Sequence, residues 1–277
     1  MTTLSPSKMR RLGICEWYLP AFGTEAIRFA ANAGYDGIQI FDAGGALEDA
    51  RTQRDYLQAA AEHGVSLQAL TMTSLISGGG LCADAGSAAR DEFLEGINRG
   101  IAVCRAMGIP DLLLIGMEES RPETEIELEN TCQVLREVIC RAASHGIRVL
   151  YESFLPMDQT IRLLDAAADL LLLYDLINPI RRGFDDPAKE LCALAEAGKI
   201  HLIGAVHVKD LPPSLAGTVP FGAGCGHIED SLRLLLDLGY HGWLVSENFY
   251  AEDCMTAYGS PAETAADDLR WLKRRYR

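Results

Sequence analysis

The sequence predicts an α/β fold in which eight parallel strands, each followed by a helical segment, close into one (β/α)₈ barrel. Short β-rich apolar runs alternate with longer segments whose apolar residues recur every three or four positions, and most of the longer segments end in glycine. The chain has 277 residues, and barrels of this kind commonly reach about 250 residues as one domain. We therefore expect residues 1–277 to form a single domain, with residues 1–10 as an N-terminal extension.

The predicted strands are short runs rich in β-branched and other apolar residues, bounded by turn-forming residues. The first four are RLGICEW (11–17), GIQIF (37–41), VSLQALTM (65–72) and DLLLIG (111–116). The other four are IRVLYES (147–153), LLLLYD (170–175), LIGAVHVKD (202–210) and WLVSENF (243–249).

Between the strands, the apolar spacing predicts amphipathic helices. The segments are TEAIRFAANAG (24–34), ALEDARTQRDYLQAAAEHG (46–64), SAARDEFLEGINRGIAVCRAMG (87–108), ETEIELENTCQVLREVICRAASHG (123–146), DDPAKELCALAEAG (185–198) and IEDSLRLLLDLG (228–239). Glycine at a helix end supplies a left-handed residue, so that the next strand can follow almost at once, as after Gly34 and Gly108.

An open, doubly wound sheet would also alternate strands with helices. That fold usually has a glycine-rich phosphate-binding turn after its first strand, and none follows LGICEW. The GGG at 78–80 follows the third strand and does not open a helix with a GxGxxG motif, so we interpret it as a loop.

Composition and charge exclude several classes of partner. The chain is 48% hydrophobic and 23% charged, which is ordinary for a globular protein. Its formal net charge of -14 repels phosphate backbones and anionic lipids, so we expect a small-molecule substrate and neither nucleic acid nor membrane as a partner. No stretch approaches the roughly 20 apolar residues of a membrane span, which favours a cytoplasmic protein. The sequence is compatible with a homo-oligomer.

Eight cysteines are scattered along the chain without a CxxC pair. We expect them to be reduced, buried thiols, because cytosolic thiols stay reduced and free cysteine packs as a small hydrophobic residue. A cysteine-based zinc site is disfavoured.

Polar residues mark the ends of the last four predicted strands, which in barrels of this type form the catalytic face. They are Glu152, Asp175, His207 and Glu247. Each alone has a simple structural explanation: a surface carboxylate, a helix cap, a core histidine with satisfied hydrogen bonds, or an edge residue paired with arginine. However, four consecutive strands each end in one residue that can bind a metal. In a closed barrel these four side chains would point toward one position.

Three converging carboxylates repel one another, and burial raises that cost, so the arrangement calls for a divalent cation. Three oxygen donors and one imidazole suit Mn²⁺, with Mg²⁺ or Co²⁺ as alternatives, and leave positions for substrate oxygens. Structural zinc prefers sulfur and more nitrogen.

With these residues identified, the chain resembles the sugar phosphate isomerase/epimerase superfamily, the xylose isomerase-like TIM barrels that include ketose 3-epimerases and inosose dehydratases. The similarity spans nearly the whole chain. Its most specific part is HVKDLPPSLAGTVPFGAGCGHIEDSLRLLLDLGYHGWLVSEN (207–248), which is similar to the family's H-x-K-D motif, a G-x-G-x-I-D-like turn, L-G-Y-x-G and the terminal strand glutamate.

The resemblance implies a metal set of Glu152, Asp175, His207 and Glu247, and it makes Glu152 and Glu247 the proton-transfer groups as well. A metal holding a ketone and its neighbouring hydroxyl oxygen would acidify the adjacent C–H, one glutamate would remove the proton, and an enediolate would form. We expect substrate contacts from Asn178, Lys209, Asp210 and Trp17.

Two positions depart from the ketose 3-epimerase pattern. Asn178 stands where those enzymes have a histidine, and LPPSLAG after the HVKD motif lacks their arginine. The HVKD motif is more similar to the branch with inosose dehydratases and epimerases of keto-sugars.

The predicted function is therefore a metal-dependent isomerase or epimerase of a sugar or keto-sugar. A dehydratase is the alternative, because it starts with the same proton abstraction. Phosphodiester hydrolysis would need more than six histidines and a basic face, so it is disfavoured, and a non-catalytic sugar-binding barrel would not need all four ligands. Since no glycine turn cradles a phosphate, we expect an unphosphorylated substrate, with Arg181 and Arg182 as the residues that argue against this.

Overall fold

The computed structural model describes residues 11–184 and 186–276, so the predicted extension at 1–10 lies outside the described residues. Its eight strands pair in parallel, in chain order, and close into a barrel, as predicted. The strands are β1 Leu12–Cys15, β2 Gly37–Phe41, β3 Ser66–Thr71, β4 Asp111–Gly116, β5 Arg148–Ser153, β6 Leu171–Asp175, β7 Ile203–Val208 and β8 Trp243–Ser246.

Helices connect the strands. They are α1 Thr24–Ala33, α2 Ala50–His63, α3 Ala88–Met107, α4 Glu125–Ala143, α5 Met157–Ala166, α6 Asn178–Arg181, α7 Pro187–Glu196, α8 Ile228–Asp237, α9 Asp253–Thr256 and α10 Pro261–Tyr276. Each of the six predicted helical segments contains a helix. Of the others, α5 and α10 are full-length helices that the sequence pattern had not predicted.

Side-chain caps explain where the predicted helices begin. Asp49 starts α2 four residues inside the predicted segment, because its carboxylate accepts a hydrogen bond from the backbone N–H of Thr52 at 2.8 Å. Thr124 starts α4 through a reciprocal capping box with Glu127. At the other end of α3, Gly108 adopts the expected left-handed conformation, with φ of 67°.

Three strands end two or three residues earlier than predicted at their carboxyl ends. β1 stops at Cys15, and Glu16–Tyr18 form a 3₁₀ turn. β7 stops at Val208 and β8 at Ser246, so the polar residues that follow them lie on the catalytic-face loops and not inside the strands. These loops carry the candidate site.

Buried apolar residues form two clusters. The larger one packs the strands against the helices. The smaller one is built from residues of the strands alone: Cys15, Leu113, Leu150, Leu173, Ala205, Trp243 and Val245. These residues occupy alternate positions along the strands, so their side chains share the inward face and fill the inside of the barrel.

All eight cysteines fall inside the described ranges and carry free thiols. Cys15, Cys82 and Cys104 are buried as expected, and Cys132 and Cys254 are partly buried. The expectation was wrong for Cys140 and Cys192, on the outer surfaces of α4 and α7, and for Cys225, in the loop before α8, all of which are exposed. Within the same ranges, every helix is too short or too polar to span a bilayer.

Candidate active site

Four ionisable side chains enter the barrel lumen at the carboxyl ends of β5 to β8. Each stands two residues beyond a member of the inner apolar cluster, and side chains two apart on a strand share one face. The four are Glu152, Asp175, His207 and Glu247. All are buried, with exposed fractions of 6% or less.

The structure brings these four side chains together. Ligand atoms of Glu152, Asp175 and His207 all lie within 4.8 Å of one another. Glu247 joins them through His207, whose Nδ1 is 3.3 Å from the Glu247 Oε2. The residues with which the sequence predicts a metal centre therefore share one small volume.

Lys209 provides the positive charge inside this cluster. Its Nζ is 2.6 Å from Asp175 Oδ2 and 2.5 Å from Glu247 Oε2, so one ammonium group bridges two carboxylates. Burial opposes the charge, but Asp175 and Glu247 outweigh it and hold the pKa of Lys209 well above its usual range. Lys209 is thus a fixed cation at the centre of the site.

Two of the predicted substrate-binding residues hold the glutamates in place. Asn178 donates from Nδ2 to Glu152 Oε1 at 2.8 Å, and Trp17 donates from Nε1 to Glu247 Oε1 at 3.1 Å. Asn178 stands at the start of α6 because Asp175 Oδ1 accepts its backbone N–H at 2.9 Å. Each glutamate therefore has one oxygen fixed by a neutral donor.

The two glutamates have opposite electrostatic environments. Burial raises the pKa of Glu152, and the charges of Glu247 and Asp175 add to that effect. Burial also disfavours ionisation of Glu247, but His207 and Lys209 dominate and lower its pKa. Glu152 accordingly favours the neutral acid and Glu247 the carboxylate, which is the division that an acid and base pair needs.

The donor set fits a divalent cation. Among the described residues, the Nδ1 of His207 and the Oδ2 of Asp175 are buried and make no hydrogen bond. Asp175 Oδ2 is within ion-pair distance of Lys209, but without hydrogen-bond geometry. Buried polar atoms without partners are costly, and a cation coordinated by both atoms would satisfy them.

A hydrogen-bond chain inside the barrel sets the tautomer of His207. Arg148 binds both oxygens of Asp111 at 2.7 and 2.8 Å, so Asp111 can only accept the 2.8 Å bond from Gln68 Nε2. Gln68 Oε1 then accepts a hydrogen bond from Gln39 Nε2 at 2.7 Å. This leaves Gln39 Oε1 facing His207 Nε2 at 2.7 Å, where Nε2 must donate. In the neutral imidazole, Nδ1 therefore carries the free lone pair.

Cys15 lies beside this chain, with Sγ 3.6 Å from both Gln39 Oε1 and His207 Nε2. Its sulfur is close enough to His207 and Glu247 to form a second possible group of ligands. Burial, reinforced by Glu247, raises the pKa of the Cys15 thiol well above its usual value. The protonated thiol is a poor metal ligand.

A cavity of about 640 Å³ opens at this end of the barrel, and of the four side chains Glu152 and Glu247 line it. Its floor includes Glu152 and Glu247 together with Trp17, Asn178 and Lys209. The other lining residues are apolar or basic, apart from the hydroxyl-bearing Tyr18 and Thr73: Phe41, Ile76, Ile115, Met117, Arg121, Phe154, Arg181, Arg182 and Phe184. The volume falls in the range of about 300–1,000 Å³ that small-molecule sites occupy.

Asp210, the fourth residue expected to contact substrate, does not line this cavity. Its carboxylate accepts hydrogen bonds from backbone N–H groups of the following loop, including Gly222 at 2.9 Å, Gly224 at 3.1 Å and Gly226 at 3.1 Å. A Cβ at Gly224 would lie 2.4 Å from Asp210 Oδ1, so the loop needs glycine there. In this structure Asp210 organises the loop that follows β7.

Sequence reasoning missed the polar residues inside the barrel. Gln39 in GIQIF and Gln68 in VSLQALTM are single amides in otherwise apolar runs, and that contrast is the signal that could have identified them. Glu16 was missed as well. It is fully buried, accepts from the backbone N–H of Gly23 at 2.7 Å and from Tyr56 Oη at 3.2 Å, and burial raises its pKa to about 7.

Comparison with known proteins places this geometry in context. Residues 27–275 match the model of a family described as xylose isomerase-like TIM barrel. Over 272 residues the chain is 30% identical to the 2-epi-5-epi-valiolone 7-phosphate 2-epimerase of Actinoplanes sp. (strain SE50/110), and the match covers 95% of this chain and 94% of that protein.

Solved structures share the fold at lower identity. The D-psicose 3-epimerase from Clostridium cellulolyticum H10, crystallised with D-tagatose, is 13% identical with a TM-score of 0.77, covering 96% of this chain and 99% of that one. The 3-keto-D-glucoside 4-epimerase from E. coli is 18% identical with a TM-score of 0.72, covering 96% and 100% of the two chains. These likenesses concern the arrangement of strands and helices.

Proposed function

The chain belongs to the xylose isomerase-like TIM barrel family, and from that premise we propose that it is a divalent-metal-dependent epimerase or isomerase of a keto-sugar or related polyhydroxy ketone. The observation that carries the proposal is the pair Glu152 and Glu247, which line one cavity and lie beside Asp175 and His207. The 30% identity to a 2-epi-5-epi-valiolone 7-phosphate 2-epimerase supports it.

The metal would be held by Glu152, Asp175, Glu247 and the Nδ1 of His207. Three oxygen donors and one imidazole suit Mn²⁺, with Mg²⁺ and Co²⁺ as alternatives. When bound, such a cation supplies a Lewis acid that polarises a substrate carbonyl. The lone pair on His207 Nδ1 is available for the cation, because the proton of the neutral ring is on Nε2, which donates a hydrogen bond to Gln39 Oε1.

Glu247 is the proposed base of the resting site. The Lys209 ammonium, 2.5 Å from Glu247 Oε2, favours the ionised carboxylate, and Trp17 fixes Oε1, leaving the other oxygen toward the cluster. It would remove a proton from the carbon next to the carbonyl and so form an enediolate.

Glu152 is the proposed acid on the other side. Burial favours its protonated form, and Asn178 fixes its Oε1. Returning the proton to the opposite face of the same carbon gives the epimer, and returning it to the neighbouring carbon gives the isomer. In the reverse direction the two glutamates exchange roles.

Lys209 and the apolar walls complete the proposed site. The Lys209 ammonium lines the cavity, where it can donate to a substrate oxygen. Phe41, Ile115 and Phe154 limit the water around the reacting carbon, which strengthens the electrostatic interactions there.

Hydrogen exchange tests the proposal. Metal-loaded protein is incubated in D₂O with a panel of ketoses, keto-sugars and inososes, and products are analysed by NMR and mass spectrometry. We expect metal-dependent deuterium at a carbon next to a carbonyl, with an epimer or isomer as product. Loss of water would identify a dehydratase, and no exchange with any member, or equal exchange without metal, would refute the proposal.

Metal content tests the ligand set separately. Asp175→Asn should bind the metal more weakly than wild type, whereas Asp158→Asn, on the exposed face of α5, should bind it equally well. Stoichiometric metal in Asp175→Asn at wild-type affinity would remove Asp175 from the ligand set.

A further inference from the structure

Three arginines line the cavity: Arg121 lies in the loop after β4, Arg181 is the last residue of α6, and Arg182 follows it. We propose that this arginine cluster binds the phosphoryl group of a phosphate monoester, so that the substrate is a phosphorylated polyhydroxy ketone. The inference rests on the proposed function, which identifies the ketone as the reacting part of the substrate. It reverses the expectation of an unphosphorylated substrate.

Arg182 is the centre of the cluster. Its guanidinium stacks over the Phe154 ring, with Cζ 4.2 Å from the ring centroid. Such stacking fixes the plane of a guanidinium and leaves its N–H edge for other partners. Burial and the neighbouring charge of Arg121 lower the pKa of Arg182, while Glu152 acts in the opposite direction. Arg182 therefore shares the cavity with a second arginine, Arg121, and with Glu152.

Arg181 contacts the loops that follow β7 and β8. Its Cζ lies 5.1 Å from the centroid of the Phe249 ring, and its Nη2 donates to the Gly217 carbonyl at 2.5 Å. Its Nε is buried and has no hydrogen-bond partner among the described residues. The side chain is thus positioned by two contacts that leave its charge uncompensated.

Arg181 and Arg182 combine two features: they line the cavity, and they have no acidic partner among the described residues there. Many described arginines pair with carboxylates, for example Arg162 with Glu125 at 2.7 Å, and others that do not, such as Arg51 and Arg105, are exposed on outer helices. In the described part of the chain, neither Arg181 nor Arg182 has an ion pair with a carboxylate, and Arg121 pairs with Glu123, which is largely exposed. For a protein with 39 acidic and 25 basic residues, unpaired arginines in one cavity indicate an anionic ligand.

The number of guanidinium groups favours phosphate over carboxylate. One arginine can bind a carboxylate with two parallel hydrogen bonds, whereas a phosphoryl group has three terminal oxygens and nearly two negative charges. Three arginines match the second group better. The GGG loop does not compete for this role, because Glu119 already accepts the backbone N–H of Gly78 at 2.5 Å.

Calorimetry with inorganic phosphate tests the cluster independently of catalysis. The metal-free full-length chain is titrated with phosphate, and in parallel with acetate, at constant ionic strength. We expect phosphate to bind more tightly than acetate, and Arg182→Met to weaken phosphate binding by at least about tenfold. Arg162→Met, on the outer helix α5, removes the same charge away from the cavity and should bind phosphate like wild type.

A second measurement uses substrate pairs that differ only in phosphorylation. With metal-loaded protein in D₂O, we expect the phosphorylated member to exchange with the higher kcat/KM, and Arg182→Met and Arg181→Met to reduce that preference by at least about tenfold, mainly through KM. Circular dichroism and melting temperatures establish that the variants are folded, and Arg182→Lys, which keeps the charge, should recover part of the preference.

The outcomes separate the two proposals. Phosphate binding that depends on Arg182, without exchange in any ketone, would keep the phosphoryl site and refute the proposed function. Exchange in an unphosphorylated ketone, with equal phosphate binding by wild type and Arg182→Met, would keep the function and overturn the phosphoryl site.

Discussion

The Oε1 of Gln39 lies 2.7 Å from the Nε2 of His207 and accepts a hydrogen bond from its N–H group. The direction of this bond is determined at the far end of the barrel, where Arg148 occupies both oxygens of Asp111. Metal-binding histidines commonly donate their second nitrogen to a partner of this kind. Here the partner belongs to a chain of amides that runs through the barrel interior.

Gln68→Met should weaken metal binding, although residue 68 touches none of the proposed ligands. The substitution removes the acceptor for Gln39 Nε2, so the Gln39 amide is free to rotate and the tautomer of His207 is no longer enforced. We expect a loss of about tenfold to a hundredfold in metal affinity, measured by calorimetry. The ¹⁵N shifts of His207 in the metal-free protein should show a mixture of tautomers.

Gln58→Met is the matched control, because Gln58 is exposed on α2 and its side-chain amide donates to Glu62 on the same helix. Wild-type metal affinity together with a single His207 tautomer in Gln68→Met would show that the hydrogen-bonded amides do not orient the histidine.

Lys209→Met should make the folded protein depend more strongly on metal. Without the ammonium, Asp175 and Glu247 lose the cation that bridges them, and breaking a buried ion pair costs roughly 3 kcal/mol. We therefore expect a lower melting temperature in chelator and a larger rise on adding Mn²⁺ than in wild type. Lys199→Met, which removes the pair with largely exposed Asp165, is the control. An unchanged metal-induced shift would contradict the bridging role.

The strand order and the four strand-end residues could be predicted from sequence because both follow from local periodicity. Leu150 and Glu152, two apart on β5, illustrate this: alternation alone places both in the lumen. The arginine cluster could not be assembled in that way. Arg121 and Arg182 are brought together only when β4 and β6 take their places in the closed barrel, and no local pattern carries that information.

The ionisation of Asp111, Lys209 and Glu16 was also beyond sequence reasoning. Each is buried, and whether it is charged depends on partners distant in sequence, such as Arg148 for Asp111. Asp210 shows the opposite case: the HVKD motif predicts a functional aspartate, but the fold directs its carboxylate to loop amides.

Glu16 makes stability depend on pH. Its pKa is raised by burial from 4.5 to about 7, so the protonated form is favoured in the folded state. That contribution is complete below pH 4.5 and is lost as the pH rises through about 7. Relative to Glu16→Gln, wild type should therefore lose up to about 3 kcal/mol of unfolding free energy between pH 5 and pH 8.

Urea unfolding at the two pH values measures this difference. Glu25→Gln, on the exposed surface of α1, should show no comparable pH-dependent difference from wild type. A constant difference between wild type and Glu16→Gln across this range would mean that Glu16 titrates normally in the folded protein.

Stereospecific hydrogen exchange by Glu152→Gln and Glu247→Gln tests the proposed two-glutamate mechanism most directly. Each variant keeps the size and one ligand oxygen of the glutamate but removes a base, so metal should still bind while turnover falls by about 100-fold or more. In D₂O, Glu247→Gln should lose exchange from one substrate epimer and Glu152→Gln from the other, because the two carboxylates approach the same carbon from opposite faces. Wild-type exchange rates for both epimers in both metal-loaded variants would contradict the mechanism.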